Sequence, residues 1–504
     1  MEKYFYFCMF VCTSSLCKSC EQFWKECCDC FYHEKLVEKL SGRELLPNEN
    51  SKDVVEIENS QVIKNSKEVV KIETLQYYID NIVEIINKNE RKRSTFLCVA
   101  SILTKPNNIK GFEEMKEKVE EIFKDKKNPN FENLKFDGLS SLEKRSIGSM
   151  LGMGIGDAYG SVFEFMKVNK NFFNSNNYNE KFNDNIEWHW KSAHKKDVPK
   201  GCAGWSDDSS MGLCLADSLI VNNGIFKPRD IMNRFLAWWY CSYNNASMYQ
   251  KTKIGSWGLG GNINASFEKY ILNPVDFTIA GDKNTSGNGS IMRNAAIPIA
   301  YHNDLNLAME YAEKQSKVTH QGHEAAGCCR LLTYIVGNIL EEKNKDKFNN
   351  GLKGYLNEIL SQENVNKLNL VTNSVKGLAL SKENVESDKD KSNFENWNWK
   401  NKFFKYNEKR SKAKPRYIGS YAMDNMAMSL HILYHTTSFE QAINVATHLG
   451  GDADSVASVV GQIAGAFYGV ENIPANWIKK LYVFDYGDFT LKALLLAHLF
   501  DKES

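Results

Sequence analysis

Two long stretches of this 504-residue chain carry apolar residues at steps of three and four, and this period constrains the fold more than any other feature. The stretches run from Leu142 to about Gly337 and from Tyr417 to Phe500, and glycine-rich turns interrupt them. Apolar residues at this spacing line one face of an α-helix. The sequence therefore predicts a mostly helical domain that is assembled from both stretches.

Composition divides the chain into segments of different character. We expect five of them: a cysteine-rich segment at 1–40, a polar linker with a helical extension at 41–140, the first part of the main domain at 141–340, a low-complexity insertion rich in Asn and Lys at 341–415, and the second part of the main domain at 416–504. The main domain is therefore predicted to be all-α, with the insertion on its surface.

Two helices are predicted in the extension. The first is amphipathic and carries apolar residues at helical spacing, at Leu75, Ile79, Ile82 and Ile86. The second is polar and spans about Glu113–Lys127. The insertion has only weak periodicity, so we expect it to contain one or two helices of its own.

The charge of the chain excludes one broad class of function. Its 63 Lys and Arg residues and 62 Asp and Glu residues give a formal net charge of +1. A general nucleic-acid binder draws its affinity from neutralising phosphates, which needs a basic excess. We therefore expect no nucleic acid among the partners. The sequence also lacks a run of about 18 apolar residues, which predicts that it has no transmembrane segment.

Cysteine is distributed unevenly along the chain. Seven of the 13 cysteines lie in the first 30 residues, and the other six are scattered. Scattered cysteines without paired spacing are typical of reduced, buried thiols. Because disulfides are rare in the cytosol, this pattern favours a cytoplasmic protein over a secreted one.

Several interpretations of the cysteine-rich end stay open. We favour a poorly ordered extension without a specific role. Tyr4–Cys12 resembles the apolar core of a signal peptide, but it is short and Glu2 precedes it. Cys17 and Cys20, with the later cysteines and His33, are zinc ligands by type, although their spacing matches no common zinc module. Acylation of the cysteines, and with it a lipid anchor, is equally compatible with the composition.

Glycines spaced four residues apart mark the first segment that suggests chemistry. Gly152, Gly156 and Gly160 fall on one face of a predicted helix, where they allow close packing against a second helix. Asp157 and Glu164 lie seven residues apart, so they are predicted to share a helix face. Two carboxylates on one face can serve a metal ion or a water molecule, although a solvated acidic face is the more common reason for such a pair.

Two acidic clusters each stand at the predicted start of a helix. Ser206–Ser209 reads Ser-Asp-Asp-Ser, a pattern that helix capping and the helix dipole also favour. Leu449–Ser455 places two aspartates and a serine after a Gly-Gly pair, which supplies several hard oxygen ligands within one short loop. Because so much buried negative charge needs compensation, the two clusters together suggest a site for two divalent cations.

Two further segments suggest an anion site and a pocket wall. Asn284–Arg293 is rich in small residues whose exposed backbone N–H groups suit a phosphate or diphosphate, although an ordinary flexible turn has the same composition. It contains no Gly-Lys-Ser/Thr and is therefore not a P-loop. Thr319–Glu324 contains two histidines in an order that matches no zinc-protease motif, so we expect His320 to cap or line a pocket.

In this order, the five segments resemble those of the ADP-ribosylglycohydrolase family. The resemblance covers about half of the chain, over Leu142–Gly337 and Tyr417–Trp477. The positions that match the family's motifs are Asp157 and Glu164; Ser206, Asp207, Asp208 and Ser209; Gly287, Asn288, Gly289, Met292 and Arg293; Thr319 and His320; and Gly450, Gly451, Asp452, Asp454 and Ser455. Serine replaces the family's threonine at 206, 209 and 455, which keeps the ligand oxygen but drops a methyl group that stiffens the side chain.

The resemblance implies an orthogonal all-helical fold that holds two Mg²⁺ ions at the mouth of an ADP-ribose cleft. The implied metal ligands are Ser206, Asp207, Asp208, Asp452, Asp454 and Ser455. The implied catalytic residues are Glu164, near the scissile bond, and Asp208. The implied substrate-binding residues, of which the 286–290 loop and His320 face the diphosphate and the distal ribose, are Asp157, Ser286, Gly287, Asn288, Gly289, Ser290, Met292 and His320.

The resemblance therefore implies an enzyme that hydrolyses the glycosidic bond of an ADP-ribosylated protein side chain, or of a small ADP-ribose conjugate, and releases ADP-ribose. We expect it to act as a monomer. Two alternatives stay open. One is a degenerate ADP-ribose-binding or structural member without turnover, which the intact carboxylates count against. The other is a zinc hydrolase that uses His320, His323 and a cysteine. The sequence does not identify the acceptor, whether arginine, serine or another residue.

Overall fold

The structure is a computed structural model, and the residues that it describes are 62–65, 68–71, 79–87, 109, 111–123, 131, 134–166, 204–241, 243–246, 256, 258–277, 286–382, 385–386, 394–402, 404 and 417–501. The predictions for the cysteine-rich segment at 1–40 lie outside these residues. The chain forms two compact units, and each is described by itself. One takes in Met1–Asn81 and Phe123–Asn130, and the other takes in Ile82–Ile122 and Phe131–Ser504.

Within its described residues, the first unit contains an antiparallel pair of short strands. β1 (Val62–Asn65) pairs with β2 (Glu68–Lys71), and Val62 lies opposite Lys71. Valine and isoleucine in these strands favour an extended backbone. The pair falls inside the segment that we expected to be a polar linker with a helical extension, so part of that segment is β-structure.

The second unit is helical. Its helices are α1 (Ile82–Asn87), α2 (Phe112–Ile122), α3 (Ser141–Gly160), α4 (Asp207–Val221), α5 (Pro228–Cys241), α6 (Gly261–Leu272), α7 (Ala296–Ala300), α8 (Leu305–Lys317), α9 (His323–Glu341), α10 (Gly351–Ile359), α11 (Gln362–Lys367), α12 (Asn373–Ala379), α13 (Ala422–His435), α14 (Phe439–Thr447), α15 (Ala453–Tyr468), α16 (Ala475–Asp485) and α17 (Asp488–Ala497). Its 3-10 turns are Asn288–Ser290, Lys345–Phe348 and Val470–Asn472. The two-residue strands β3 (Val385–Glu386) and β4 (Phe394–Glu395) pair antiparallel. The predicted all-α domain is confirmed.

The spacing of apolar residues at steps of three and four correctly predicted most of these helices. Both predicted stretches consist mainly of helices, α3 to α9 in the first and α13 to α17 in the second. In the extension, α2 corresponds to the predicted polar helix, and α1 covers Ile82 and Ile86 of the predicted amphipathic helix. Leu75 lies outside the described residues. No helix in the described ranges is long and apolar enough to span a membrane.

A capping box begins α3. Ser140 Oγ accepts a hydrogen bond from the Glu143 N–H at 3.2 Å, and the Glu143 carboxylate accepts one from the Ser140 N–H at 2.6 Å. The pair satisfies two backbone donors at the helix start. Glu143 also accepts from Lys118 Nζ at 2.7 Å and lies 3.0 Å from His498 Nε2. These contacts connect the first turn of α3 to α2 and to the end of α17.

Glycines in α3 allow it to pack directly against α15. A Cβ atom at Gly148 would collide with the Gly465 carbonyl, and one at Gly152 would collide with the Gly461 carbonyl. The two backbones therefore touch without side chains between them. We call this contact the glycine interface; its residues are Gly148, Gly152, Gly156 and Gly160 of α3 and Ala457, Gly461 and Gly465 of α15. The predicted close packing at glycines four residues apart is confirmed.

The segment expected to be a low-complexity insertion contains three α-helices, α10 to α12, where we predicted one or two. Sparse apolar residues at helical steps still bury one face of α10, and they are Leu352, Tyr355, Leu356 and Ile359. Trp397 and Trp399 are also buried, and the Trp399 indole N–H donates to the Leu378 carbonyl at 2.6 Å. A few apolar residues among many Asn and Lys residues therefore suffice to dock these helices.

We predict that Gly152→Ala strongly destabilises the protein. The added Cβ would collide with the α15 backbone, which cannot move aside as a flexible side chain can. We expect the free energy of unfolding, measured by chemical denaturation, to fall by about 3 kcal/mol, the upper end of the usual overpacking range. Gly261→Ala in α6 is the matched control, because a Cβ there has no neighbour within 4 Å. Equal stability of both variants would contradict the proposed contact.

Candidate active site

The acidic residues of distant segments meet where the glycine interface ends. Asp157 and Gly160 lie in the last turn of α3, while Asp452 and Asp454 lie at the start of α15. A Cβ atom on Gly160 would collide with the backbone of Asp454, so the end of α3 rests against the start of α15. This approach of two helices brings carboxylates from far apart in the sequence into one cluster.

Asp157, Asp208 and Asp454 form a first carboxylate triad. One oxygen of each lies within 4.8 Å of the other two, and all three residues are buried. Asp208 belongs to the first turn of α4. Its Oδ1 atom is buried and has no hydrogen-bond partner among the described residues. A buried carboxylate oxygen without a partner, close to two more carboxylates, fits a divalent cation.

Glu164, Asp452 and Asp454 form a second carboxylate triad. One oxygen of each again lies within 4.8 Å of the other two, and Glu164 is half-buried while both aspartates are buried. Asp454 belongs to both triads, so the two are adjacent. Two adjacent groups of oxygen ligands are the arrangement that a pair of divalent cations requires.

Glu164 does not lie on α3. We expected it to share a helix face with Asp157, but α3 ends before Glu164, which stands in the turn that follows. Backbone hydrogen bonds hold this turn against the loop before α15. The Phe165 N–H donates to the Gly451 carbonyl at 2.8 Å, and the Gly451 N–H donates to the Met166 carbonyl at 3.0 Å. Glu164 therefore reaches the second triad through this turn.

Tyr417 is a site residue that the sequence analysis missed. Its hydroxyl donates to Glu164 Oε1 at 2.9 Å, and its ring stacks on Phe165 with 5.4 Å between the ring centroids. In the sequence, Tyr417 marks only the start of a helical stretch, and no spacing connects it to Glu164. Burial raises the pKa of Tyr417, so its hydroxyl keeps the proton that it donates to Glu164.

Asp157 holds the start of α4 in place. Its carboxylate accepts hydrogen bonds from the Ser206 N–H at 2.9 Å, the Ser206 hydroxyl at 2.8 Å and the Ser209 N–H at 2.9 Å. A carboxylate that accepts from the first N–H groups of a helix compensates their partial positive charge. Asp157 thereby positions the helix that carries Asp208. Contact between Asp157 and a substrate stays a prediction.

Three more predicted ligands lie beside the triads without belonging to them. Ser206 Oγ, whose proton is donated to Asp157, lies 3.2 Å from Asp208 Oδ2, and Ser455 Oγ donates to the Met292 sulfur at 3.5 Å. Asp207 begins α4 and is buried. Asp207 and Ser455 are sequence neighbours of Asp208 and Asp454, and Ser206 lies two residues before Asp208. Contact of these three residues with a metal ion stays a prediction.

Gly258 is a second residue that the sequence analysis missed. Its φ of +88° lies in the left-handed region, and a Cβ there would collide with the Asp207 carboxylate. Glycine adopts this conformation at no steric cost and leaves room for the side chain of Asp207. Glycine in the short Gly-Leu-Gly-Gly run is the only signal that the sequence offers for this role.

The predicted anion-binding segment is connected to the acidic cluster through Asn288. This residue begins the 3-10 turn Asn288–Ser290, and its side-chain N–H groups donate to Asp452 Oδ2 at 2.9 Å and to the Gly419 carbonyl at 2.8 Å. The backbone of Gly287 forms an antiparallel bridge with Tyr421. The structure therefore places the predicted anion loop and the Asp452 loop in one site.

Side chains of the anion loop also anchor it to the core. Ser290 is fully buried, and its Oγ accepts from the Ser316 hydroxyl at 2.8 Å. Met292 is buried, and its carbonyl accepts from the Ser458 hydroxyl at 2.9 Å. The Ser286 carbonyl accepts from the first N–H of α13 at 2.9 Å. These contacts fix the loop, and ligand contacts by the three residues stay predictions.

His320 lies against the backbone of the same loop. A Cβ atom on Gly289 would lie 2.8 Å from His320 Cε1, and one on Gly287 would lie 3.4 Å from Nε2. The other ring nitrogen, Nδ1, is 2.8 Å from Thr319 Oγ1. Burial and the nearby positive charge of Arg293 lower the pKa of His320 to about 3. The imidazole is therefore neutral near pH 7.

The described residues contain no group that supports the zinc alternative. His323 is exposed at the start of α9, and His320 Nδ1 already contacts Thr319. Every group of three metal-ligating residues found in the described part of the chain consists of carboxylates. Carboxylate oxygens favour a hard cation such as Mg²⁺, whereas zinc sites usually contain imidazole or thiolate ligands.

Burial raises the pKa of the clustered carboxyl groups, because removal from water disfavours their charged forms. The groups affected are Asp157, Glu164, Asp207, Asp208, Asp452 and Asp454. Repulsion from neighbouring carboxylates adds to this effect at Asp208 and Asp454. The pKa of Glu164 reaches about 8. A bound cation stabilises the ionised forms and opposes the shift.

Comparisons with known proteins identify relatives of the chain. A sequence model described as ADP-ribosylglycohydrolase matches residues 139–503. An ADP-ribosylarginine hydrolase Tri1 of Pseudomonas putida is 26% identical over 67% of this chain and 74% of the relative. An ADP-ribosyl-(dinitrogen reductase) glycohydrolase of Rhodospirillum rubrum is 22% identical over 68% of this chain and 91% of the relative. An ADP-ribosylhydrolase ARH3 of Xenopus tropicalis is 24% identical over 68% of this chain and 91% of the relative.

We predict that the metal-free protein loses stability as the pH rises. A carboxyl group with a raised folded-state pKa binds its proton more tightly in the folded than in the unfolded protein. Its stabilising contribution is therefore present at low pH and is lost as the pH rises toward the folded-state pKa. For Glu164 this window runs from 4.5 to about 8. Thermal unfolding in EDTA should give a lower midpoint at about pH 8 than at about pH 6.

A divalent cation and a variant provide the controls. Added Mg²⁺ should reduce the loss, because it binds the ionised carboxylates. Asp208→Asn removes one titrating group, so its midpoint in EDTA should fall less with pH than that of the wild type. The hydrogen bond that His498 donates to the Glu143 carboxylate raises the pKa of His498, which gives both proteins an additional loss of the same sign. Identical pH dependence of the two proteins would contradict repulsion within the cluster.

Proposed function

The chain belongs to the ADP-ribosylglycohydrolase family, and from this premise we propose that it hydrolyses, with Mg²⁺, the glycosidic bond of ADP-ribosylated protein side chains or of a related ADP-ribose conjugate. It is a hydrolase of the ADP-ribosylglycohydrolase type. The observation that carries the proposal is the pair of carboxylate triads that share Asp454. Beside a loop of small residues, such triads offer cation ligands and a place for a diphosphate.

The donor atoms of the cluster fit two Mg²⁺ ions. The proposed ligands are Asp208, Asp452 and Asp454 of the triads, with Ser206, Asp207 and Ser455 beside them. Carboxylate and hydroxyl oxygens are the ligands that Mg²⁺ prefers, and the partnerless Oδ1 of Asp208 supports a cation there. When bound, such ions orient ribose hydroxyl groups and stabilise the negative charge that develops during hydrolysis.

Glu164 and Asp208 are the proposed catalytic residues. Cleavage at the anomeric carbon passes through a positively charged, oxocarbenium-like state, which a nearby carboxylate stabilises. The Glu164 carboxylate can also take a proton from the attacking water. Tyr417 donates to Glu164 Oε1 and so limits the orientation of that carboxylate. Asp208 is assigned a catalytic role because its Oδ1 atom has no hydrogen-bond partner among the described residues and is therefore available to a ligand.

ADP-ribose is proposed to bind along the Ser286–Ser290 loop. Gly287 and Gly289 carry no side chains, so the backbone N–H groups of the loop can approach a diphosphate. Asn288 connects this loop to Asp452, which places the diphosphate region next to the proposed metal ligands. Asp157 and Met292 would shape the floor of the site through the buried contacts that hold the loop and α4.

ADP-ribosylarginine is the first conjugate to assay. The Pseudomonas putida relative carries this substrate in its name, whereas the Rhodospirillum rubrum relative is named for a dinitrogen reductase conjugate and the Xenopus tropicalis relative is named without an acceptor. The acceptor can be identified by measuring the release of free ADP-ribose from arginine-linked and serine-linked substrates. Each substrate is assayed with and without EDTA.

We propose that the enzyme acts on cytoplasmic conjugates and as a monomer. The cysteines that the structure describes are buried and form no disulfide with one another, and they are Cys214, Cys241, Cys328 and Cys329. Burial raises the pKa of the Cys214 thiol to about 12 and that of the Cys329 thiol to about 11. Such thiols are unreactive and suit a reducing compartment.

We predict that Asp208→Ala and Asp454→Ala abolish hydrolysis while the protein stays folded. Each variant removes a proposed cation ligand, and we expect ADP-ribose release to fall by more than about 100-fold. Raised Mg²⁺ should stabilise the wild type against heat but not these variants. Asp346→Ala is the matched control and should keep full activity, because Asp346 is an exposed residue of the turn Lys345–Phe348. Normal turnover by either site variant with added Mg²⁺ would refute the site assignment.

We predict that Glu164→Gln lowers kcat more than it changes KM. Glutamine keeps the size and a carbonyl oxygen that can accept from Tyr417, but it carries no negative charge and cannot take a proton from water. General-base catalysis typically contributes about 10²- to 10⁴-fold, so kcat should fall within that range. Steady-state kinetics of ADP-ribose release separate kcat from KM. Unchanged kcat would exclude Glu164 as the catalytic carboxylate.

A further inference from the structure

A chain of buried polar groups connects Arg293 to His320 below the anion loop. Arg293 is fully buried, and its Nη2 donates to Thr319 Oγ1 at 2.9 Å and to the Gln315 carbonyl at 3.0 Å. Its Nε donates to the Gln315 side-chain oxygen at 3.1 Å. Thr319 Oγ1 in turn lies 2.8 Å from His320 Nδ1. Arg293 is thereby held in place and contacts His320 only through Thr319.

The protons in this chain can be assigned by counting donors and acceptors. A guanidinium group only donates, so Thr319 Oγ1 accepts from Arg293. The Thr319 hydroxyl still has one proton to donate, and the residue is fully buried. Within the described part of the chain, the acceptor at hydrogen-bond distance from this hydroxyl is His320 Nδ1. Donation from Thr319 to Nδ1 satisfies both the Thr319 hydroxyl and His320 Nδ1, whereas the reverse direction leaves the hydroxyl proton buried without an acceptor.

The direction of this hydrogen bond determines the tautomer of His320. A neutral imidazole carries its proton on one nitrogen, so a ring that accepts at Nδ1 bears the proton on Nε2. Nε2 lies on the side of the glycine loop, 3.0 Å from the position of a Cβ on Gly289 and 3.4 Å from one on Gly287. A proton on Nε2 is therefore directed to the side where the loop backbone is bare.

We propose that Arg293 and Thr319 are positioning residues that hold His320 as its Nε2–H tautomer, so that the imidazole donates a hydrogen bond to an anionic phosphate oxygen at the Gly287–Gly289 backbone. This inference rests on the proposed binding of ADP-ribose at the loop and extends it. The opposite tautomer would present a lone pair to the anion and repel it. The arrangement makes His320 a neutral donor, which binds an anion through a hydrogen bond and without a charge.

The tautomer can be read directly by NMR. Long-range ¹H–¹⁵N correlation spectra of the full chain, labelled with ¹⁵N-histidine, distinguish a protonated ring nitrogen from an unprotonated one. Comparison with the His320→Gln variant identifies the His320 signals. We expect Nε2 to be protonated and Nδ1 unprotonated in the ligand-free protein near neutral pH. A protonated Nδ1 in the wild type would overturn the proposal without any further variant.

Two substitutions at Thr319 test the cause of the tautomer. Thr319→Val keeps the shape but removes the hydroxyl, so His320 Nδ1 should become protonated in part of the molecules and the Kd for ADP-ribose should rise about tenfold. Thr319→Ser keeps the hydroxyl and should retain both the wild-type tautomer and the affinity to within about twofold. Wild-type spectra and affinity in the valine variant, or loss of the tautomer in the serine variant, would overturn the proposal. If the valine variant does not fold, the spectra of the wild type and of the serine variant still test the proposed tautomer of His320.

The same measurements separate this inference from the proposed function. A wild-type protein that releases ADP-ribose but carries the proton on Nδ1 refutes the role of Arg293 and Thr319 and leaves the enzyme assignment intact. A wild-type protein that neither binds nor releases ADP-ribose refutes the proposed function, and the phosphate ligand proposed for His320 falls with it. Isothermal titration with ADP-ribose provides the binding measurement in both cases.

Discussion

Backbone contact between α3 and α15 is the constraint on which the site depends. Because Gly152 and Gly461 carry no side chains, the two helices approach until the carbonyl group of each fills the space that a facing Cβ would occupy. The same spacing continues to Gly160, which rests on the backbone of Asp454. Larger residues along this contact would push the two helices apart. Asp157 on α3 would then lie farther from Asp454 on α15. The packing that stabilises the fold and the geometry that assembles the carboxylates are therefore one feature.

Helix starts place the carboxylates and also limit how their charge is balanced. α4 begins at Asp207 and α15 begins at Ala453, so the partial positive charge of both helix starts lies beside the cluster. The N–H groups of Ser206 and Ser209 already donate to Asp157. The Ser455 N–H donates to Asp454 Oδ1 at 2.9 Å, yet burial still raises the pKa values of Asp454 and of the other clustered carboxyl groups. The cluster must therefore hold protons or cations, and the metal-free and metal-bound proteins differ in charge. Such a site costs stability that packing elsewhere in the fold must supply.

The sequence predicted the helices and the members of the site better than the contacts between them. Helical period is a local property, so it located α3 to α9 and α13 to α17. Glycine spacing is also local, and it predicted a close helix contact at Gly152 without identifying Gly461 as the partner. Glu164 was assigned to a helix face because a seven-residue spacing assumes that the helix continues, whereas α3 ends at Gly160 and the chain turns. The order of the motifs predicted that Asp208 and Asp454 act together. Their carboxylate oxygens lie within 4.8 Å of each other, which supports this prediction.

Residues that act through another side chain could not be predicted in the same way. A motif shows which residue types occur together, but it does not distinguish a side chain that touches a ligand from one that holds such a side chain in place. Hydrogen-bond partners make this distinction. Asp157 uses its carboxylate oxygens to hold α4, whereas Asp208 Oδ1 has no partner in the described part of the chain. Tyr417 and Arg293 acquire their partners only through the tertiary fold. The site is thus a small set of available oxygens and N–H groups, supported by a larger set of polar residues whose bonding capacity is already used within the protein.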